Sequence, residues 1–249
     1  MNHKFERLFY FIFILKMTSK ENIRGQLKQY RAYDRQNQPY QSIDGLSEGV
    51  RKTSQRAELM KLPADFQGAS VLDIGCNTGA FCFEARKRNA GKVLGVEYSL
   101  RPLFIAEQIK EKNKEKITFC HANLNHGLVS LARTIGPYKF DYVFALSIWK
   151  HVYDTTFWSI IKGFTQKACW LELNAVHDGR HYGDTLKNFM RLNHRNSEKM
   201  KKLLKEKSGA LEVFYLGKTK DQGSRGCYLL IYDLSDPLLE SEKLNLNSN

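Results

Sequence analysis

Short apolar segments alternate with helix-forming segments from residue 71 onward, and this alternation constrains the fold more than any other feature of the chain. Strands are predicted at 71–74, 92–97, 117–121, 142–146 and 169–173. Helices are predicted between them at 80–88, 102–114, 127–134 and 155–165. The strands are almost continuously apolar, as is typical of strands covered on both faces. The alternation therefore predicts an α/β fold with a doubly wound, parallel sheet.

The pattern changes after the fifth predicted strand. Two β-rich segments at 211–216 and 227–232 flank a glycine-containing loop and predict a terminal hairpin, which would add an antiparallel strand to the sheet. We divide the chain into an apolar N-terminal segment, 1–17, a helical N-terminal lid, 18–62, a main domain, 63–233, with a polar, basic insert at 174–208, and a polar tail, 234–249.

The composition gives some limits on partners and compartment. The net charge of +13 attracts polyanions and makes nucleic acid a possible partner, although it is equally consistent with solubility alone. The five cysteines form no CxxC pair. They fit reduced thiols in the cytoplasm and predict neither a disulfide framework nor a metal site.

The strongly apolar run at 8–15 is too short to span a bilayer as a helix, which takes about 20 residues. No small-x-small cleavage site follows it. We interpret this run as a docking helix or as a start-site artefact with Met17 as the true start, and a weak membrane anchor is the third alternative.

The first predicted strand runs into a glycine-containing loop in the sequence VLDIGCNTGAF, residues 71–81. Ligands of open α/β sheets bind beyond the carboxyl ends of the strands. Gly75 and Gly79 permit a tight turn and a close approach of the backbone to such a ligand, and the next helix points its first N–H groups at it. Asp73 would repel a phosphate. The loop therefore favours a cationic ligand such as S-adenosylmethionine, which carries an ammonium and a sulfonium, over a dinucleotide.

The next two predicted strands are also followed by polar side chains. Glu97 ends the second strand, where a carboxylate can accept hydrogen bonds from both hydroxyls of a ribose. Asn123 follows the third strand and can hydrogen-bond an adenine edge. Together with the loop, these residues predict a nucleoside-binding edge of the sheet.

In order and spacing, these motifs resemble those of class I S-adenosylmethionine-dependent methyltransferases over roughly residues 50–233. The resemblance implies a Rossmann-like, seven-stranded sheet with a reversed terminal hairpin and S-adenosyl-L-methionine as the cofactor. It places the cofactor on Asp73, Gly75, Cys76, Asn77, Gly79, Glu97, Tyr98, Asn123 and Leu146. In similar enzymes a preceding segment closes over the cofactor, which makes Tyr40 and Arg56 candidate lid contacts. The alternative is an exposed tyrosine and a surface arginine.

Methyl transfer requires an aligned acceptor and, for some acceptors, a general base. The candidate catalytic residues near the predicted site are His151, Glu172 and His177. Glu172 lies in the apolar run ACWLELN, where an acid needs a partner, and this favours a role in the site. For His151 the alternative is a capping or packing role at a helix start. The candidate substrate-binding residues are Trp149, Asn174, Lys187, Arg191 and Arg195.

Three hypotheses describe the acceptor. Lys187, Arg191 and Arg195 are spaced by four residues and would share a helix face, which favours phosphate contact and an RNA acceptor such as tRNA. A solvated helix face is the plainer interpretation. The second hypothesis is a small metabolite or a lipid-linked glycan, with the basic segment as a lid. The third is a non-catalytic partner subunit, against which the intact glycine loop and Glu97 argue.

Overall fold

The computed structural model describes residues 18–29, 40–43, 45–173, 188, 197–220 and 225–239. The strands are β1 Val71–Ile74, β2 Val93–Glu97, β3 Ile117–His121, β4 Phe140–Leu146, β5 Thr165–Glu172, β6 Glu212–Lys218 and β7 Gly226–Ile231. The α-helices are α1 Lys20–Gln29, α2 Thr53–Leu59, α3 Ala80–Lys87, α4 Leu100–Asn113, α5 Gly127–Ile135, α6 Asp154–Phe164 and α7 Ser197–Ser208. Short 3-10 helices follow β3 and β4 at Leu124–His126 and Trp149–His151.

The strands form one seven-stranded sheet in the order β3–β2–β1–β4–β5–β7–β6. Strands β1 to β5 are parallel, β7 is antiparallel to β5, and β6 is antiparallel to β7. The predicted α/β fold with a terminal antiparallel hairpin is confirmed. The strand order reverses between β1 and β4, and such a switch point opens a crevice at the carboxyl ends of the strands. Glu172 pairs with Cys227, so the β6–β7 loop lies at that same edge.

Each face of the sheet is covered by its own helices. Helices α5, α6 and α7 pack on one face around Val143, Leu171 and Leu230. Helices α2, α3 and α4 contribute to the other face, where the Phe66 ring contacts Trp170. Fully burying a large apolar side chain stabilises the fold by about 1.5–3 kcal/mol, so both faces contribute strongly to stability.

The end of the predicted basic insert at 174–208 belongs to the folded domain. Helix α7 lies within that range, and its Met200 and Leu204 are fully buried in the core beneath α6. These residues are four apart and therefore share one helix face, while the lysines of α7 occupy the remaining faces. Residues 197–208 are thus a covering layer of the sheet rather than an insertion beside it.

The described part of the predicted lid is held against α4. Ile23 and Leu27 of α1 are buried with Ile43, Ile105 and Ile109. Two isolated β-bridges, Gln41 with Arg51 and Ile43 with Ser47, connect described residues that precede α2. The predicted apolar segment 1–17 lies outside the described residues. No helix in the described ranges has both the length and the apolar character that a membrane crossing needs.

Candidate functional site

The loop between β1 and α3 is fixed in a conformation that favours glycine. Gly75 and Gly79 have φ values of +77° and +79°, in the left-handed region. A Cβ atom on Gly79 would lie 2.7 Å from the Phe119 ring. The N–H groups of Gly75 and Cys76 donate to the carbonyl oxygen of Val96, at 2.8 and 3.0 Å. The loop backbone therefore lies directly against β2.

Asp73 is buried beneath this loop, with 3% of its surface exposed. Burial raises the pKa of Asp73 to about 7, although the hydrogen bond from the Cys82 thiol opposes the shift. An ionised carboxylate at this position gains from a nearby cation. Cys76 is also buried, and burial raises the pKa of its thiol, so this cysteine packs the loop and is not an activated nucleophile.

The Glu97 carboxylate is oriented by backbone amides. Its Oε2 accepts from the Asn77 N–H at 2.9 Å, and its Oε1 accepts from the Ser99 N–H at 2.8 Å. Carboxylate oxygens have further lone pairs, so both can still accept from a ligand hydroxyl. The structure thus links the end of β2 to the glycine loop, which brings these predicted cofactor residues together.

Two further predicted cofactor residues flank Glu97. The Tyr98 side chain is 63% exposed, and its ring is stacked on His121 with centroids 6.1 Å apart. Asn123 caps the short helix after β3, where its Oδ1 accepts from the Asn125 N–H at 3.0 Å. This capping bond uses one lone pair of the Asn123 amide oxygen. Tyr98 is therefore the more accessible of the two side chains.

The predicted lid, 18–62, contacts the glycine loop through a hydrogen bond that the sequence analysis missed. The Thr78 hydroxyl donates to Gln41 Oε1 at 2.9 Å, and both side chains are buried. Tyr40, a predicted lid residue, lies close enough to Arg225, which precedes β7, to interact electrostatically with it. The described part of the lid therefore contacts the glycine loop after β1 and lies near Arg225.

A buried ion cluster lies at the carboxyl ends of β4 and β5. Glu172 is fully buried and accepts hydrogen bonds from Arg51, Arg56 and Ser147, with the Arg56 Nε at 2.9 Å. Arg225 Nη1 lies 3.3 Å from Glu172 Oε1 and donates to the Ser147 hydroxyl at 2.5 Å. We call these five residues the Glu172 cluster. Burial opposes ionisation of Glu172, but the arginines and the Ser147 hydroxyl lower its pKa to about 2.

This geometry contradicts two predicted roles, those of Glu172 and Trp149, and the surface alternative for Arg56. Glu172 is a poor general base, because its oxygens are occupied and its pKa is low. Arg56 is 5% exposed, is paired with Glu172 and lies over the Phe81 ring, so it is not a surface side chain. Trp149, predicted to bind substrate, is fully buried and stacked on Phe157. Its indole N–H donates to Asp154, so Trp149 belongs to the core.

The remaining predicted residues fall into two groups. His151 is exposed in the short helix after β4, and its carbonyl oxygen accepts from Asn125 Nδ2 at 3.0 Å. Leu146 ends β4 and packs partly against the core. The other group lies outside the described residues and comprises Asn174, His177, Lys187, Arg191 and Arg195.

Residues 65–211 match the sequence model of a methyltransferase domain family. The chain belongs to this family. The sheet order and the reversed hairpin agree with that assignment, and the resemblance to class I S-adenosylmethionine-dependent methyltransferases is confirmed.

Individual relatives match only parts of this chain, and the chain spans less than half of their length. A probable protein arginine N-methyltransferase 3 of Arabidopsis thaliana is 32% identical over 90 residues, 36% of this chain and 14% of that protein. A demethylmenaquinone methyltransferase of Lactococcus lactis is 38% identical over 71 residues, 27% of this chain and 28% of that protein. The bifunctional kinase-methyltransferase WbdD has the same fold, with a TM-score of 0.59 and 17% identity over 84% of this chain and 46% of that chain.

Proposed function

We propose that this protein binds S-adenosylmethionine at the glycine loop and the end of β2, and transfers its methyl group to an acceptor that enters beside β4 and β5. The main support for the proposal is the contact between the glycine loop and Glu97, whose carboxylate accepts a hydrogen bond from the Asn77 N–H. This arrangement orients the Glu97 carboxylate beside a glycine-containing backbone to which a ligand can come close.

The side chains fit the chemistry of that donor. Asp73, with its raised pKa, favours a neighbouring ammonium or sulfonium. Glu97 is placed to accept from ribose hydroxyls, and the exposed Tyr98 ring offers a stacking surface for adenine. S-adenosylmethionine supplies a methyl group on a sulfonium, and S-adenosylhomocysteine remains after transfer.

The acceptor side has one accessible candidate base in the described ranges that the sequence had predicted. His151 is exposed beyond the end of β4 and can receive a proton from an acceptor hydroxyl or amine. We assign Glu172 to positioning, because it holds Arg51, Arg56 and Ser147 at the carboxyl edge of the sheet.

The acceptor class is the finer part of the proposal. The relatives named above are a protein arginine methyltransferase and a demethylmenaquinone methyltransferase, two different acceptor chemistries. The RNA hypothesis depends on Lys187, Arg191 and Arg195, which lie outside the described residues. A small acceptor is supported by the size and charge of a groove beside the Glu172 cluster, described below.

Two linked measurements test the proposed function. Calorimetric titration of the purified chain should show saturable binding of S-adenosylmethionine. Incubation with methyl-labelled donor and cell extract, separated into RNA, protein and small-molecule fractions, should then label one fraction. Absence of donor binding would refute the proposal, whereas binding without label in any fraction would support the non-catalytic hypothesis.

A further inference from the structure

A groove opens between the start of α2 and the end of the β6–β7 hairpin. Its volume is about 420 Å³, and the residues that line it include Lys52, Arg56, Glu58, Lys218 and Lys220. Four of the eight lining residues are cationic and one is acidic. The groove therefore presents a concave surface with a net positive charge at the carboxyl edge of the sheet.

The lysines at the hairpin side flank a buried residue, Thr219, that is hydrogen-bonded to Arg225. Thr219, between them, is 3% exposed. Its N–H donates to the Arg225 carbonyl oxygen at 2.9 Å, and its hydroxyl accepts from the Arg225 N–H at 3.0 Å. Lys218 ends β6, Lys220 follows two residues later, and both are exposed. Both lysines line the groove on either side of the buried Thr219, so their charges face the same space.

The opposite wall adds further positive charge and leads to the proposed acceptor site. Lys52 precedes α2 and pairs with Glu48 at 2.6 Å, but Glu48 is 87% exposed, and such surface pairs are weak. Arg56 lines the groove and also belongs to the Glu172 cluster. Arg225 joins the hairpin turn to the same cluster through Ser147. A ligand in the groove would therefore lie next to the end of β5.

We propose that this groove binds a phosphate-bearing part of a small acceptor molecule. Lysines around a concave space act as point charges that suit a multiply charged anion, and lysine is a common phosphate ligand. A volume of about 420 Å³ is in the range of small-molecule pockets. The assignment of the phosphate to the acceptor rests on the proposed methyl transfer, whereas binding of the phosphate itself does not.

Calorimetry with inorganic pyrophosphate at low ionic strength tests the groove directly. We expect wild-type protein to bind pyrophosphate, and the double variant K218Q/K220Q to bind it about tenfold more weakly, since each partly exposed ionic contact contributes modestly. The matched control is K112Q/K116Q, which removes the same charge from exposed positions at the opposite edge of the sheet. Pyrophosphate affinity in the control should equal that of wild type.

Competition identifies the kind of phosphate. ADP should displace pyrophosphate from the wild-type protein, because a terminal diphosphate fits a groove of this size. Displacement by a short single-stranded RNA, without displacement by ADP, would overturn the small-acceptor assignment in favour of an RNA backbone. An equal loss of pyrophosphate affinity in the two double variants, or no pyrophosphate binding by the wild type, would refute phosphate binding in the groove altogether.

The same protein samples separate this inference from the proposed function. Titration with S-adenosylmethionine should give equal affinities for wild type, K218Q/K220Q and K112Q/K116Q, because neither lysine pair contributes to the glycine loop or to Glu97. Pyrophosphate binding without donor binding would support phosphate binding in the groove and refute the proposed methyl transfer. Donor binding with unchanged pyrophosphate affinity in K218Q/K220Q would refute the groove alone.

Discussion

The two halves of the sheet's carboxyl edge hold their acids in different ways. At β2, Glu97 accepts from the amides of Asn77 and Ser99, which are near it in the sequence or in the adjacent loop. At β5, Glu172 is buried among arginines, of which Arg51 is 121 residues away in the chain. The first acid is held by backbone amides, while the second joins Arg51, Arg56 and Arg225 to the end of β5. Two acids at equivalent strand ends therefore have different surroundings.

The largest expected effect is on the free energy of unfolding, and it should distinguish Glu172 from Glu97. Glu172→Gln removes the charge that compensates three guanidinium groups, and breaking a buried ion pair from one side costs about 3–5 kcal/mol. We expect urea denaturation to show a loss of that size. Because the pKa of Glu172 is lowered to about 2, its contribution is present above its ordinary pKa and is lost as the pH falls through 4.5 towards 2.

The control for this substitution is Glu58→Gln, which removes an exposed acid from α2. Surface substitutions of this kind change stability by about 0.5 kcal/mol or less. A similar, small loss in both variants would show that the Glu172 cluster does not stabilise the fold, and would remove the distinction between the two halves.

The second effect should appear in binding rather than in folding. Glu97→Ala removes the acceptor of the Asn77 and Ser99 amides and the proposed partner of the ribose hydroxyls. Hydrogen bonds to a charged group contribute about 1.5–3 kcal/mol, so we expect affinity for S-adenosylmethionine to fall at least tenfold. Calorimetry and urea denaturation of one sample would check this. Unchanged donor affinity would contradict the assignment of Glu97.

The half with local contacts was also the half that the sequence predicted. Asp73, Gly75, Gly79 and Glu97 lie in short motifs whose spacing places them at one sheet edge, and the structure brings them there. The apolar alternation likewise predicted the strand pattern, because burial on both faces leaves a clear sequence signal.

The Glu172 cluster gave no comparable signal. Its members come from the segment before α2, from α2 itself, from the ends of β4 and β5, and from the terminal hairpin. One observation pointed to it, namely an acid within the apolar run of β5, which required a buried partner. The sequence could not identify Arg51, Arg56 or Arg225 as those partners. Trp149 was misassigned for a related reason, since its position after β4 does not reveal that its ring packs inward on Phe157.

The third prediction uses the pH dependence of the buried acid under the loop. Because burial raises the pKa of Asp73 to about 7, the folded chain holds a proton that the unfolded chain has lost between its ordinary value of 3.8 and about 7. Asp73 therefore lowers stability as the pH rises through that window. A bound cation favours the ionised form, so we expect S-adenosylmethionine affinity to increase about tenfold between pH 5.5 and 7.

Asp73→Asn provides the control, because an amide does not titrate and should give an affinity that is lower and nearly independent of pH over this range. The range stays below the ordinary pKa of an α-amino group, about 7.7–8.0, so the donor keeps its ammonium throughout. An equally steep pH dependence in Asp73→Asn would assign the titration to another group.

The smallest expected effect concerns Tyr98, an exposed side chain next to Glu97 at the end of β2. Tyr98 is 63% exposed and contacts His121, so replacing it with alanine should leave stability almost unchanged. Stacking of two aromatic rings contributes about 0.5–1.5 kcal/mol, so Tyr98→Ala should weaken S-adenosylmethionine binding about fivefold if the ring meets adenine. Tyr138, which is 62% exposed and precedes β4 at the opposite edge, provides the matched control. Equal donor affinities in Tyr98→Ala and Tyr138→Ala would show that adenine does not stack on Tyr98. A fivefold loss confined to Tyr98→Ala would extend the cofactor half from the buried loop to the surface beyond β2.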